Sequence, residues 1–539
     1  MVPVVAGSSP VRHLAGSRER PRARRDAPGR CVTLVAYDLR VEAVAADRRW
    51  TLVAVCATTF MLLVDITIVN VALPSIQRSL DASLTGLQWV VDAYALTLAA
   101  LILTAGALAD RYGRRLVFAV GVVVFSVASF LCGAAWNVAT LDIARALQGI
   151  GGAALFATAL ALIGAEYTGA ERAGAIAVWG STVGLVVAAG PLFGGIITDS
   201  LGWRWVFFVN VPVGAFAFTV AVRKLRESRD PNARRTDVAG LVSFSAALSL
   251  IVQALLRGND AGWSSVQILG SLLGGIALLA AFVVIEVRQE RPMLDVSLFR
   301  RPAFVGVQLA TFCIGAGMFA LFPFLSIYLQ DILGYSPLGA GLRFLPITVF
   351  VFLVPLATRN LSSRAPMWVL LSTSLAIVSI GLLLMEEISP GSRWTVLLPG
   401  FFVSGIGIGL ANPTIAAAAL RVVDPARTGM ASGISNTARI AGLAMGVAGL
   451  GAFLQQRVGA HLAAAGYHGT HLASAVSSSG LRAAGGRPGL ERVADAAFVS
   501  GFRLILLICF AVVLTGSAAA ATLVRRPAKA TEPVLEPSG

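Results

Sequence analysis

Three charged residues stand inside otherwise apolar stretches. Asp65 lies in Leu62-Leu63-Val64-Asp65-Ile66-Thr67-Ile68-Val69-Asn70, Asp92 follows Gln88 and Trp89, and Arg145 lies in Leu141-Asp142-Ile143-Ala144-Arg145-Ala146-Leu147-Gln148-Gly149. An ionisable group in hydrocarbon costs roughly 2.5–3.5 kcal/mol on insertion scales, so by default it is there for function. A carboxylate so placed can load a proton on one side of a barrier and release it on the other. Burial favours its neutral form, a nearby arginine its charged form, and movement of either switches binding to release. Asp65, Asp92 and Arg145 are therefore the candidate proton-coupling and substrate residues. Counting from Trp50 at about 1.5 Å per residue places Asp65 roughly 22 Å along its helix, at a depth similar to Asp92 and Arg145. Asp142, Arg145, Gln148, Gly149 and Gly152 share one helix face by their three- and four-residue spacing. The plainer alternatives are a static ion pair that satisfies Arg145 and, for Asp92, contact with interfacial water.

Two further constellations concern movement rather than proton chemistry. Gly106-Ala107-Leu108-Ala109-Asp110-Arg111-Tyr112-Gly113-Arg114-Arg115 separates two apolar runs. Its arginines mark a cytoplasmic hairpin by the positive-inside bias, and its glycines allow close helix approach. Gly106, Asp110, Arg111, Gly113, Arg114 and Arg115 form the candidate cytoplasmic gate. In it Asp110 binds the positive end of the helix starting near Thr428, and Arg111 or Arg115 holds Asp110 in place. The second is Gly190-Pro191-Leu192-Phe193-Gly194-Gly195, where proline bends a helix and glycines admit a neighbour. Trp179, Phe193, Phe312, Phe319, Phe322 and Phe324 are candidates for an apolar pocket.

The elements that position these residues follow from composition. Of 539 residues, 56% are hydrophobic and 13% charged, and the mean hydropathy is +0.78, which excludes an ordinary soluble domain. Apolar runs long enough to cross hydrocarbon recur after Trp50. Fourteen spans are expected, from 51–73 to 498–523, giving an all-α polytopic membrane protein. The net charge of +15 sits in tails and short loops, so the bilayer, not nucleic acid, is the expected partner. The hairpins at 111–115, 223–235, 288–301 and 359–364 would face the cytoplasm of a plasma-membrane protein with both termini inside.

An internal echo organises the chain. Gly149-Ile150-Gly151 precedes Arg172-Ala173-Gly174, and Gly405-Ile406-Gly407 precedes Arg427-Thr428-Gly429. Eight spans separate the two, as expected for two six-helix bundles in the same orientation with a two-helix insertion at 238–286. The expected domains are a basic disordered tail at 1–49, carrying Arg18, Arg20, Arg22, Arg24, Arg25 and Arg30, and an N-terminal bundle at 50–222. Loops and inserted helices at 223–303, a C-terminal bundle at 304–523 with an outer loop at 455–497, and a tail at 524–539 complete the chain.

Several classes are disfavoured. Lys224 and Lys529 are the only lysines, and neither follows glycine as a phosphate-binding loop requires. No cofactor is expected beyond a proton gradient. The cysteines form no metal or disulfide framework, and the Ala-, Gly- and Ser-rich loop with His461, His468 and His471 reads as a flexible solvated segment. A membrane-embedded enzyme or sensor would need a catalytic constellation, and none is evident.

Taken together these segments resemble the major facilitator superfamily, and within it the fourteen-span drug:proton antiporters of the EmrB/QacA type. Gly106 to Arg115 resembles the family's hairpin between spans two and three. Leu141 to Gly149 resembles its fourth-span motif, whose arginine is implicated in proton coupling. Gly190 to Gly195 resembles the antiporter motif associated with export, and Val64 to Pro74 and Trp203 to Pro212 resemble the fourteen-span branch. The resemblance implies proton-coupled export of a small hydrophobic drug or antibiotic, with aromatic polyketides as candidates, by a protein functional as a monomer. A proton-coupled uptake symporter is the alternative within the same fold. One departure is the tenth span: residues 338–357 lack the acidic residue that some members carry, which weakens a requirement for a dication.

Overall fold

The computed structural model describes residues 29–167, 169–229, 237–289, 294, 296–358, 365–421, 428–485 and 487–525. The basic cluster from Arg18 to Arg25, the Arg30 side chain and the tail beyond 525 lie outside the described residues. Met1–Asp47 is one unit and Arg48–Gly539 another. The chain is helical from Gly29, within the stretch 1–49 expected to be a disordered tail.

No strand occurs among the described residues, and thirteen helices are long and apolar enough to cross a membrane. They are α1 (Gly29–Leu80), α2 (Leu84–Tyr112), α3 (Arg114–Gly133), α4 (Val138–Glu166), α6 (Trp205–Lys224), α7 (Val238–Ala261) and α8 (Val266–Arg288). The rest are α9 (Pro302–Ile332), α10 (Pro337–Ala357), α11 (Met367–Leu384), α12 (Leu398–Arg421), α13 (Thr428–Ala464) and α15 (Pro488–Ala519). The remaining expected span is α5, a 32-residue helix (Gly169–Ser200) whose described apolar part is the shorter stretch Gly174–Val183.

Local chemistry sets the helix starts. Ser83 accepts from Gly86 N, Ser336 from Gly339 N, and Asn137 and Thr140 form a reciprocal capping box, satisfying amides that a helix start leaves orphaned. Proline opens α9, α10 and α15, where its missing N–H is harmless.

The two glycine echoes do the same packing job. Gly149 on α4 lies against Tyr94 and Thr97 of α2, and Gly151 against Phe125 of α3; a Cβ at either would overlap them. Gly405 on α12 lies against Ile347 and Phe350 of α10, and Gly407 against Ser374 and Val378 of α11. Each central helix is thus clasped by the two helices before it in equivalent ways.

The inserted pair, α7 and α8, pack on each other, and α7 also meets α2 and α13. Asn259 Nδ2 donates to the Ala452 carbonyl at 2.6 Å. The insertion therefore lies over the line where α2 meets α13, while α8 leaves Val266, Leu273 and Val287 exposed, as a helix bathed in lipid would.

The segment 455–497 departs from expectation. α13 continues to Ala464, α14 (Thr470–Ser479) and a 3-10 turn (Gly480–Ala484) follow, and α15 begins at Pro488. Val476, Ala484, Leu490 and Ala494 are buried, so apolar residues anchor this Ala-rich stretch as a helical cap rather than a flexible loop.

Candidate functional site: a buried carboxylate–guanidinium network

Asp65 on α1 and Arg145 on α4 are brought into direct contact. Arg145 is 1% exposed and Asp65 fully buried; Arg145 Nη1 donates to Asp65 Oδ2 and, at 2.7 Å, to Gln148 Oε1. Its Nε donates to the Val90 carbonyl of α2 at 2.9 Å, and its guanidinium lies 4.3 Å from the Tyr94 ring centroid. That reach depends on Gly149 and Gly152, both set against Tyr94.

The other carboxylate oxygen, Asp65 Oδ1, accepts from Gln148 Nε2 at 2.8 Å and Asn210 Nδ2 at 3.2 Å. Ser129 Oγ accepts from both amides, at 3.2 and 2.9 Å, and donates to the Phe207 carbonyl. Five helices therefore contribute to one closed network: α1, α2, α3, α4 and α6. Buried ions need this degree of satisfaction, because desolvation outweighs the pair's attraction when lone pairs go unmatched. Ser129 and Asn210 were not among the sequence candidates; Asn210 was visible only inside the Trp203–Pro212 segment.

Asp92 is placed differently from the water-reaching alternative. It is fully buried, and neither carboxylate oxygen has a hydrogen-bond partner among the described residues. It lies one turn after Gln88, which is 5% exposed and donates through Nε2 to the Val447 carbonyl of α13 at 2.7 Å. The four-residue spacing puts Asp92 on the same face.

The hairpin is organised within its own neighbourhood. Arg114 binds Asp110 Oδ1 through Nε and Nη2 at 3.1 and 2.9 Å. Arg111 instead lies 5.2 Å from the Tyr112 ring centroid, and Arg115 donates to the Val222 carbonyl, which corrects the expectation that one of them holds Asp110. Glu227 caps α3 by accepting from Arg115 N and Leu116 N and occupies the space beside Gly113, whose φ of 123° suits glycine. Gly106 makes no close approach: a Cβ there would only reach Ala157 at 4.0 Å. The loop before α13 and the Thr428 side chain lie outside the described residues, and with them the partner expected for Asp110.

Gly190, Pro191, Gly194 and Gly195 lie where α5 meets α1 and α10. A Cβ at Gly190 would overlap Thr67 and one at Gly194 would crowd Ile68, both on α1; one at Gly195 would press on the Pro337 carbonyl and Leu338 of α10. Gly341 returns the contact against the Pro191 carbonyl. Nearby, Gln330 Nε2 donates to the Val71 carbonyl at 2.8 Å. Asp331 is 4% exposed and lies 3.7 Å from Arg78 and 3.8 Å from Arg482. These contacts join helices before and after the insertion at the end away from the arginine hairpins.

The candidate apolar residues separate. Trp179 donates to Thr59 Oγ1 and lines a small cavity with Thr58, Leu62, Leu155, Phe156 and Ala159. Phe193 meets Phe60, and Phe319 stacks on Phe322, which meets Phe344. Phe324 is 1% exposed and belongs to the packed core.

A helical multispan bundle with a buried ion-pair network and glycine-lined seams is the architecture of a membrane transporter. The chain belongs to the Major Facilitator Superfamily, whose family model matches residues 55–447. It is 38% identical over 408 residues to the multidrug resistance protein Stp of Mycobacterium tuberculosis, covering 75% of each chain. It is 37% identical to the puromycin resistance protein pur8 of Streptomyces alboniger, over 80% of this chain and 86% of that protein. To the tetracenomycin C resistance and export protein of Streptomyces glaucescens it is 33% identical, over 88% and 91%. Among solved structures, a bacterial homolog of the human lysosomal transporter Spinster, inward-facing and unoccupied, superposes with a TM-score of 0.61 at 19% identity, over 89% of this chain and 99% of that one. That likeness concerns the fold.

Proposed function

We propose that this chain is a proton-coupled antiporter that exports hydrophobic drugs or an antibiotic and confers resistance. The relatives named for multidrug, puromycin and tetracenomycin C resistance support the substrate class. The observation that carries the coupling is the Asp65–Arg145 pair, sealed from water and matched on every side by Gln148, Asn210 and Ser129. A proton reaching Asp65 neutralises it and frees Arg145; the two states differ in charge inside a low-dielectric site, where that difference is largest.

In this reading the arginine hairpins face the cytoplasm of the plasma membrane, as the positive-inside bias favours. Both termini are then inside, and the contacts at Gly195, Gln88, Gln330 and Asp331 close the outer end. The drug enters from the cytoplasm or inner leaflet and is released outward without chemical change, by a monomer. A membrane potential of 100 mV supplies about 2.3 kcal/mol per proton, enough for roughly a fiftyfold gradient of a neutral substrate.

The test is uptake of ethidium into inverted vesicles energised by a pH gradient, with and without an uncoupler. Accumulation that collapses with the uncoupler supports export. Accumulation by cells rather than inverted vesicles would indicate the uptake symporter instead.

A further inference from the structure

Arg439 on α13 is a cation that the coupling network leaves unused. It lies eleven residues after Thr428, about 16 Å along the helix and so near mid-membrane. Its side chain makes one hydrogen bond, Nη2 to Asn436 Oδ1 at 3.0 Å, and no carboxylate lies within ion-pair distance among the described residues. Arg145 is neutralised by Asp65, whereas Arg343 on α10 lies with its guanidinium 3.3 and 5.2 Å from the Tyr335 and Trp394 rings and donates through Nη1 to the Gly339 carbonyl at 2.8 Å. Arg439 is too deep to reach either interface by extending its stem.

The helix face that carries it is partly open. Arg439 is half-buried where Arg145 is sealed, and Asn436 and Leu443, on the same face by three- and four-residue spacing, are half-buried too. Leu443 packs against both large apolar cores, which directs this face to the space between them.

A second set of groups points to the same ligand. Gln308 on α9 is 6% exposed, and neither its amide nitrogen nor its oxygen has a hydrogen-bond partner among the described residues. Gln308 precedes Gly315 by two turns on one face of α9, and Gly315 lies directly against the Arg439 carbonyl. Because α9 and α13 run in the same direction, Gln308 falls at the level of Ser435, whose buried hydroxyl is likewise unpartnered among the described residues. Orphaned buried polar groups each cost about 1–3 kcal/mol, so Gln308 and Ser435, on the packed faces of α9 and α13, lack a polar partner that a guest held by Arg439 would supply.

Resting on the export reading above, we propose that Arg439, with Asn436 and Gln308, is the recognition subsite for an anionic oxygen of the transported compound, a carboxylate, phenolate or enolate on an aromatic frame. A guanidinium offers such an oxygen charge-assisted, planar hydrogen bonding and repels a cation. The tenth span, which carries Arg343 and no acidic residue over 338–357, adds nothing to attract a dication.

The test uses emodin, a phenolic anthraquinone that ionises, and ethidium, a permanent cation, with wild type, Arg439→Lys and Arg439→Gln. In energised inverted vesicles Arg439→Gln should lower kcat/KM for emodin at least tenfold and leave that for ethidium unchanged or raised, with Arg439→Lys between wild type and Arg439→Gln for emodin. In purified protein, emodin affinity followed by tryptophan quenching should weaken in wild type as pH falls through the probe's own phenol pKa, and lose that dependence in Arg439→Gln. Unchanged emodin binding in Arg439→Gln, no emodin binding by wild type, or a parallel loss of both probes with the pH dependence retained would overturn the subsite. Should wild-type vesicles accumulate neither probe, the export reading fails, and the binding arm alone decides the subsite.

Discussion

Asp65 meets Arg145 through one carboxylate oxygen and keeps the other for the neutral amides of Gln148 and Asn210. Charge and position are thereby held by different groups. A proton on Oδ2 dissolves the ion pair while Oδ1 stays anchored, so the carboxyl can change charge without losing its place.

Asp65→Asn should therefore fold and yet fail to couple. Its side chain keeps an oxygen for the two amides but presents an N–H group, not an acceptor, to Arg145. Proton-driven accumulation in inverted vesicles should fall about a hundredfold, equivalent to about 2.7 kcal/mol, while downhill exchange of labelled substrate persists. Retained proton-driven uptake would remove Asp65 from the coupling role.

Asp92 offers a trade of stability against function. A buried carboxylate without partners destabilises its surroundings, so Asp92→Leu should raise unfolding stability by about 1–3 kcal/mol, measured by thermal denaturation in detergent. The same variant should lose proton-coupled export. A variant that is less stable, or stable and fully active, contradicts the proposed role.

The α5–α10 seam tolerates no added atom. Gly195→Ala places a methyl against the Pro337 carbonyl and Leu338, and should push this end open and shift spin-label distances between α5 and α10 to longer values. Gly180→Ala on the same helix meets nothing within 4 Å and should leave the distance distribution as in wild type.

The Asp331 cluster ties three separate segments, so its charges should be exchangeable. Asp331→Asn should raise the reactivity of a cysteine placed at Arg482 toward a membrane-impermeant maleimide. Pairing Arg78→Asp with Asp331→Arg should restore protection to near the wild-type level. Equal reactivity in all three would mean that helix packing alone holds the cap.

How far this was legible in the sequence depended on the cost of each residue's setting. Asp65 and Arg145 stood out because charges within apolar runs are expensive, and the structure joins them. Asp331 did not, because it falls two residues beyond the expected end of the ninth span at 329; α9 in fact runs to Ile332 through a π turn. Asp110 was assigned to the wrong arginines because the helix breaks at Gly113, and only the residue four positions on, Arg114, comes back over it. The 455–497 segment has a linker's composition, yet alanine favours helix once a few residues such as Val476 and Leu490 find a core. The Gly149 and Gly405 echo was readable as a repeat, but which neighbours the glycines admit needed coordinates.

Gln88 and Gln330 each bridge helices by donating an amide proton to a backbone carbonyl, of Val447 and of Val71. Neither partner in such a bond titrates at any pH at which the protein survives. These two fasteners are electrically silent: acidifying one side of the membrane neither loosens nor tightens them. A pH dependence of the opening rate would then come from titratable side chains and not from these bonds, and replacing both glutamines by leucine should change that rate by the same factor at every pH.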